Sequence, residues 1–86
     1  MKTVKIQTEL GIKEVDVLDE FDCNGRRFVV NHLMSDHHYH VVTDFLTGCM
    51  VGHPEHGIKI AIKKAKLLIE SNSDFDYSKY PIINKP

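Results

Sequence analysis

The histidines are the residues whose type and spacing first suggest chemistry. The chain has 86 residues and six histidines, all between positions 32 and 56. A neutral imidazole nitrogen is the commonest protein ligand for Zn²⁺, and Ni²⁺ and Cu²⁺ also accept it. His38 and His40 are two residues apart, which places both imidazoles on one face of a strand. His53 and His56 are three apart, so both lie on one side of a helix start. This pattern predicts a metal site.

Zn²⁺ is the ion predicted for this site. The preferred ligands are His38, His40, His53 and His56, with His37 next. Four protein ligands would make a structural site, and three ligands plus water a catalytic one. In so small a domain, a bound ion would also stabilise the fold. His32 shares the strand parity of Phe28 and Val30, so we expect it to be a half-buried core residue. The alternative to a metal site is a set of solvated surface histidines around one loop.

The two cysteines are predicted to be reduced thiols, because the N-terminus shows no secretory signal. Cys23 and Cys49 share the parity of core-facing positions and are expected to pack as small hydrophobes. The alternative is a second metal site with Asp22 or Asp44. A nucleophile needs an activating partner within hydrogen-bond distance, and Cys49 and His53 lie too far apart along the predicted strand. We therefore predict no enzyme, and a zinc-dependent hydrolase is the least favoured alternative.

The charges are segregated along the chain although the net charge is −1. Positions 14 to 22 carry five acids and no base, and from this run we predict a partner-binding surface formed by Asp19, Glu20 and Asp22. The near-neutral balance argues against general affinity for nucleic acid. The alternative is nonetheless a nucleic-acid interface formed by Arg26, Arg27 and the helix lysines Lys59, Lys63, Lys64 and Lys66. Either charge run is equally consistent with an ordinary solvated face.

Alternating apolar residues in the first half of the chain predict strands. Val4 and Ile6 mark the first, and Val15, Val17 and Phe21 are assigned to the second. Asn24-Gly25 predicts a two-residue type I′ hairpin that pairs Cys23 with Arg26 and Phe21 with Phe28. Further strands follow from residue 28 to residue 51. The fold class is therefore α+β, an antiparallel β-meander of four to five strands with one C-terminal helix packed on one face.

The helix is predicted to start at Pro54, whose missing N–H suits a first helical position, and to end at Ser71-Asn72-Ser73. Residues 1–73 form a single domain in this interpretation, and residues 74–86 a C-terminal tail. No apolar run approaches the roughly 20 residues that span a bilayer, which favours a cytoplasmic protein without membrane contact.

Joining these strands by hairpins brings the histidines to one end of the sheet and the two cysteines to the other. A single helix covers only one face of such a sheet. We therefore expect Val29, Leu33 and Val42 to be exposed on the other face beside His38 and His40. Exposed apolar residues with a polar rim are typical of protein–protein interfaces, including those of homodimers.

The segment from Phe28 to Leu68 resembles small proteins of phages and mobile elements. The resemblance rests on an apolar hairpin, Val41-Val42-Thr43-Asp44, Thr47-Gly48 and a helix with Ala61 and Ala65. Anti-CRISPR proteins, including a metal-binding type, are among the proteins with this architecture. The resemblance implies a protein that acts in the host cell by binding a CRISPR-associated nuclease and blocking nucleic-acid loading or cleavage. It carries over no binding residues.

Overall fold

The computed structural model describes residues 2–85. Its strands are β1 (Thr3–Thr8), β2 (Gly11–Asp16), β3 (Asp19–Cys23), β4 (Arg26–Leu33), β5 (Asp36–Asp44) and β6 (Met50–Glu55). Helix α1 (Ile58–Ser71) and a short 3-10 helix (Tyr77–Lys79) follow. Strands β3 to β6 form an antiparallel meander in chain order, and β1 and β2 form a separate two-stranded sheet. The predicted α+β class is confirmed, with six strands instead of four to five.

Strand β4 is buried on both of its faces. Phe28, Val29 and Val30 are consecutive, and each is 0% exposed. Successive side chains of a strand point to opposite faces, so the sheet must be covered on both sides. Helix α1 covers one side and packs on Phe28 and Val30 through Ala61, Ala65 and Ile69.

The β1–β2 hairpin covers the other side of the sheet. Val4 and Ile6 of β1 pack on Val29. The prediction of an exposed outer face is therefore wrong at Val29. It is also wrong at Val42, which lies in the core on the helix side of the sheet.

The two-layer prediction failed at the corner between β2 and β3. Val15, Val17 and Phe21 were assigned to one strand, but β2 ends at Asp16 and β3 begins at Asp19. At the corner, the Val17 N–H donates to the Lys2 carbonyl, and the Leu18 N–H donates to the Val30 carbonyl. The chain thus passes from one sheet to the other within two residues.

The β3–β4 turn forms as predicted. Asn24 and Gly25 have φ angles of 52° and 76°, the positive values that a type I′ turn requires. Cys23 pairs with Arg26 and Phe21 with Phe28, so the predicted register is confirmed.

The predicted helix start at Pro54 is wrong. Pro54 lies in β6, and α1 begins at Ile58 after Gly57. Strand β6 is an edge strand, where a residue without an N–H is tolerated. His53 and His56 therefore precede the helix and do not share one of its faces. The C-terminus matches the prediction, because Asn72 caps the last turn by donating to the Leu68 carbonyl.

A buried ion pair fastens the end of β5. Asp44, 1% exposed, receives two hydrogen bonds of 2.8 Å from the Arg26 guanidinium. It also accepts from the Thr47 hydroxyl at 2.6 Å and from the Thr47 N–H at 3.2 Å. The hydrogen bonds to Asp44 raise the pKa of Arg26 above its ordinary value. The guanidinium lies 3.7 Å from the centre of the Tyr77 ring.

The C-terminal segment is tied to this same region. The Asn84 side chain accepts from the Lys5 N–H at 3.0 Å and donates to the Lys5 and Phe45 carbonyls, each at 2.8 Å. The Ile83 N–H donates to the Leu46 carbonyl at 2.8 Å. A Cβ on Gly48 would lie 2.8 Å from the Lys5 carbonyl oxygen, so only glycine fits there. The segment predicted as a tail thus bridges β1 and the turn after β5.

Removing the buried carboxylate should destabilise the protein strongly. Asp44→Ala leaves the Arg26 charge unpaired and two Thr47 groups without an acceptor, so we expect a loss on the order of 3 kcal/mol in the free energy of unfolding. Urea denaturation followed by circular dichroism measures it. The exposed Asp74→Ala is the matched control and should change stability by less than about 0.5 kcal/mol. Equal stabilities for the two variants would contradict the assigned role of Asp44.

Candidate functional site

Three of the six histidines stack against each other at the β4–β5 turn. His32 and His40 are cross-strand partners, with ring centroids 5.1 Å apart. The His37 ring stacks on the His32 ring, with centroids 5.2 Å apart and an interplanar angle of 16°. His32 is therefore the central ring of the group, which we call the histidine stack.

Two nitrogens of the histidine stack are buried without a partner. Nδ1 of His32 and Nδ1 of His40 have no hydrogen bond to any residue in the described range. Leaving a buried polar atom unpaired costs roughly 1–3 kcal/mol, and such atoms are uncommon in folded proteins. Each of these two buried nitrogens could therefore donate or accept a hydrogen bond that no described residue provides.

A second group forms around Asp36, beside the histidine stack. The His38 N–H donates to Asp36 Oδ1 at 3.0 Å, and His38 Nδ1 lies 2.9 Å from the same oxygen. These hydrogen bonds, and the nearby charge of His56, hold the pKa of Asp36 below its ordinary value. The His56 ring packs on Tyr39 with centroids 4.4 Å apart.

The predicted metal ligands are divided between these two groups. His37 and His40 belong to the histidine stack, His38 and His56 belong to the Asp36 group, and His53 is exposed on β6. Within residues 2–85, no three His, Cys, Asp or Glu side chains are arranged to hold a metal ion. The structure therefore does not bring the predicted ligands to one point.

His32 is half-buried, as expected, but it is also the centre of the histidine stack. Sequence reasoning excluded it from the site because it shares the parity of Phe28 and Val30. The signal that could have included it was the β4–β5 register. A turn that pairs Leu33 with Asp36 would by itself place His32 opposite His37, and the register shift between His32 and Leu33 brings His32 opposite His40 instead.

A pocket of about 280 Å³ opens between β2 and the β4–β5 turn. It is lined by Glu14, Val15, Asp16, His32, Met34 and His37. Residues of the hairpin and of the histidine stack thus meet at one pocket, an arrangement that charge spacing in the sequence did not reveal. We call this the interlayer pocket, because its two walls belong to different sheets.

A wider cleft of about 680 Å³ continues beneath the tip of the β1–β2 hairpin. Its floor includes Asn31 and Thr43, which are buried and joined by a hydrogen bond of 2.8 Å. Leu10, Met34 and Met50 line the cleft and are 85%, 49% and 53% exposed. Three exposed apolar side chains therefore line this cleft, whereas Val29 and Val42, where an exposed apolar face was predicted, are buried.

The three predicted partner-binding acids lie on β3, an edge strand of the four-stranded sheet, and all are exposed. Glu20 receives a hydrogen bond of 2.8 Å from the Lys2 ammonium, which lowers the pKa of Glu20. Asp22 stands opposite Arg27 in the β3–β4 ladder. Asp19 accepts only the N–H of its neighbour Glu20 among the hydrogen bonds of the described residues. We call this strand the acidic edge.

Several cations assigned to the alternative nucleic-acid interface make contacts within the protein. Arg26 is held by Asp44, and the Arg27 guanidinium lies 4.8 Å from the centre of the Phe45 ring. Lys64 pairs with Glu55 at 3.3 Å, and the Lys66 ammonium lies 5.5 Å from the Phe21 ring. A phosphate would therefore compete with internal partners for these side chains.

The cysteines are free and half-buried. Cys23 packs against the core on the helix side of the sheet, in agreement with its predicted parity. Cys49 lines a cavity of about 420 Å³ whose walls include Val51, Leu68 and Tyr77. The alternative of a metal site with Asp44 has little support, since Arg26 and Thr47 already occupy that carboxylate.

Comparison with protein-family models, with curated proteins and with solved structures finds no match. The resemblance to anti-CRISPR proteins consequently stays a prediction. No helix within residues 2–85 is long and apolar enough to cross a membrane.

The ionised Asp36 carboxylate stabilises the folded protein in a pH-dependent way. The pKa of Asp36 in the folded protein lies below its ordinary value of 3.8. This contribution to stability is therefore complete above that pH and is lost as the pH falls through the folded pKa. A carbon-13 NMR titration should place the midpoint below 3.8. In His38→Ala the backbone hydrogen bond to Asp36 remains and the imidazole is lost, so the Asp36 midpoint should rise part of the way toward 3.8.

His53→Ala is the control for this titration and should leave the Asp36 midpoint where it is, because His53 is not among the groups that act on Asp36. An unchanged midpoint in His38→Ala would show that the imidazole does not act on Asp36.

Proposed function

We propose that this protein is a non-catalytic binding module whose partner is a protein with a basic surface. The observation that carries the proposal is the acidic edge. Asp19, Glu20 and Asp22 are exposed on a strand with one unpaired side, and the only cation bound to them by a salt bridge in the described range is the exposed Lys2. An edge strand offers backbone hydrogen bonds to an incoming chain, and the acids select a basic one.

Acids on an edge strand also prevent unwanted pairing with other sheets. A purely protective role would not require a specific partner. A binding experiment therefore distinguishes protection of the edge from recognition of a partner. The net charge of −1 supports a local acidic contact more than mimicry of a nucleic acid, which would need acids over the whole surface.

The internal contacts of the arginines favour a protein partner over a nucleic acid. Phosphate binding by Arg26 would have to break a bidentate pair with a buried carboxylate. A nucleic-acid complex would also weaken steeply as salt is raised, with a slope set by the number of phosphates contacted.

The narrower proposal is that the partner is a CRISPR-associated nuclease, which the protein inhibits. The architecture that suggested this, a β-meander followed by a helix, supports the proposal at the level of fold class only. Guide-loaded nucleases expose basic channels for nucleic acid, and an acidic edge strand is complementary to such a channel. A metal ion in this proposal would shape the protein without taking part in chemistry.

Charge reversal on the acidic edge tests the proposal. The probe is a purified CRISPR-associated nuclease loaded with its guide RNA, with binding measured by biolayer interferometry and activity by cleavage of target DNA. We expect the protein to bind and inhibit. Asp19→Lys/Asp22→Lys should weaken binding by about tenfold or more, because close interfacial charge pairs contribute that much.

Glu70→Lys/Asp74→Lys makes the same change in net charge on exposed residues that do not belong to β3 and is the matched control. It should bind as the unmodified protein does. Equal losses of binding affinity in the two double variants would show that only net charge matters, and would contradict a specific role of the acidic edge. Failure of the unmodified protein to bind any such nuclease would remove the narrower proposal.

A further inference from the structure

The cavity of about 420 Å³ near the C-terminus has walls from three parts of the fold. Strand β6 contributes Val51, and helix α1 contributes Leu68. The segment after the helix contributes Phe75, Tyr77 and Tyr80. We call this space the C-terminal cavity, and we propose that it binds one uncharged, mainly aromatic small molecule. None of its lining residues belongs to the acidic edge, so this binding is independent of the function proposed above.

Exposed aromatic rings gather at this cavity. Among residues 2–85, Phe75 and Tyr80 are the two most exposed phenylalanine and tyrosine side chains, at 48% and 42%. Their rings stack with centroids 6.0 Å apart, and the Phe75 ring packs edge-on against Tyr77 at 4.9 Å. Packing within the chain thus leaves two large rings partly in water at one concave site. An aromatic ligand would cover them in the stacked or edge-on geometries that such rings prefer.

The lining of the C-terminal cavity carries no free charge. Asp44 is the only charged residue of the described range that lines it, and both carboxylate oxygens already accept hydrogen bonds from Arg26 and Thr47. A charged ligand would therefore lose its hydration without gaining a partner of opposite charge, which makes its transfer unfavourable. Burial raises the pKa of Tyr77, so its hydroxyl stays a neutral hydrogen-bond donor. These features select an uncharged ligand.

The cavity is formed without a ligand. Val51 and Tyr77 pack against the core on the helix side of the sheet, and the Arg26 guanidinium lies 3.7 Å from the Tyr77 ring centre. The Phe75 N–H donates to the Asn72 carbonyl at 2.9 Å, which holds the start of the third wall. Preformed walls lower the ordering cost of binding. The volume lies near the lower end of the roughly 300–1,000 Å³ typical of small-molecule sites.

Fluorescence titration with N-phenyl-1-naphthylamine tests the site. This dye is uncharged and becomes more fluorescent in apolar surroundings, and we expect saturable binding of one dye per chain. The matched ligand is 8-anilinonaphthalene-1-sulfonate, which has the same rings and a sulfonate. It should bind about tenfold more weakly or worse, because the lining offers the sulfonate no free cation. Equal or tighter binding of the sulfonate would contradict the selection of uncharged ligands.

A tryptophan substitution in the cavity tests the location. Leu68→Trp fills space that the dye needs and should weaken its binding by about tenfold or more, the usual scale of overpacking. Leu67→Trp adds the same ring one residue earlier on α1, at a side chain that is 61% exposed and does not line the cavity. This matched control should bind the dye as the unmodified protein does. Equal weakening in the two variants would contradict the assigned site.

NMR on the unmodified protein keeps the proposal falsifiable if Leu68→Trp does not fold. Nuclear Overhauser effects are expected between the dye rings and the methyl groups of Val51 and Leu68. Effects to Leu10 and Met34 instead would place the dye in the wider cleft beneath the hairpin tip and overturn the proposal. The absence of saturable dye binding would overturn it as well.

Discussion

The burial of β4 on both faces is the constraint on which the rest of the structure depends. Phe28, Val29 and Val30 are consecutive and fully buried, so a layer must lie on each side of the four-stranded sheet. Helix α1 supplies one layer and the β1–β2 hairpin the other. The second layer is what brings β2 beside the β4–β5 turn, where the interlayer pocket lies. The candidate site therefore follows from hydrophobic burial and not from a contiguous motif.

Polar contacts join the hairpin layer to the four-stranded sheet at both of its ends. Asp44 holds Arg26 and Thr47, and the carbonyl of Gly48 in the same turn accepts from the Gln7 N–H at 2.8 Å. Asn84 joins β1 to this region as well. At the other end of the hairpin, the Leu18 N–H donates to the Val30 carbonyl of β4 at 2.8 Å.

The fold class, the Asn24-Gly25 turn and its register could be predicted, because positive φ angles and period-two alternation are local properties of the sequence. The hairpin layer was missed, although three consecutive apolar residues in β4 indicate a strand covered on both sides. The helix start was misplaced because Pro54 suits both a first helical position and an edge strand. The division of the histidines into two groups was not predicted, since it depends on register shifts between His32 and Leu33 and between His40 and Val42.

The docking of the hairpin on the sheet is the central claim, and methyl NMR measures it most directly. Nuclear Overhauser effects between the Val29 methyls and those of Val4 and Ile6 report contact between the two layers without any change to the sequence. The account predicts strong effects between Val29 and both residues. Val29 methyls that show effects only to residues of the four-stranded sheet would contradict the three-layer arrangement, and with it the interlayer pocket.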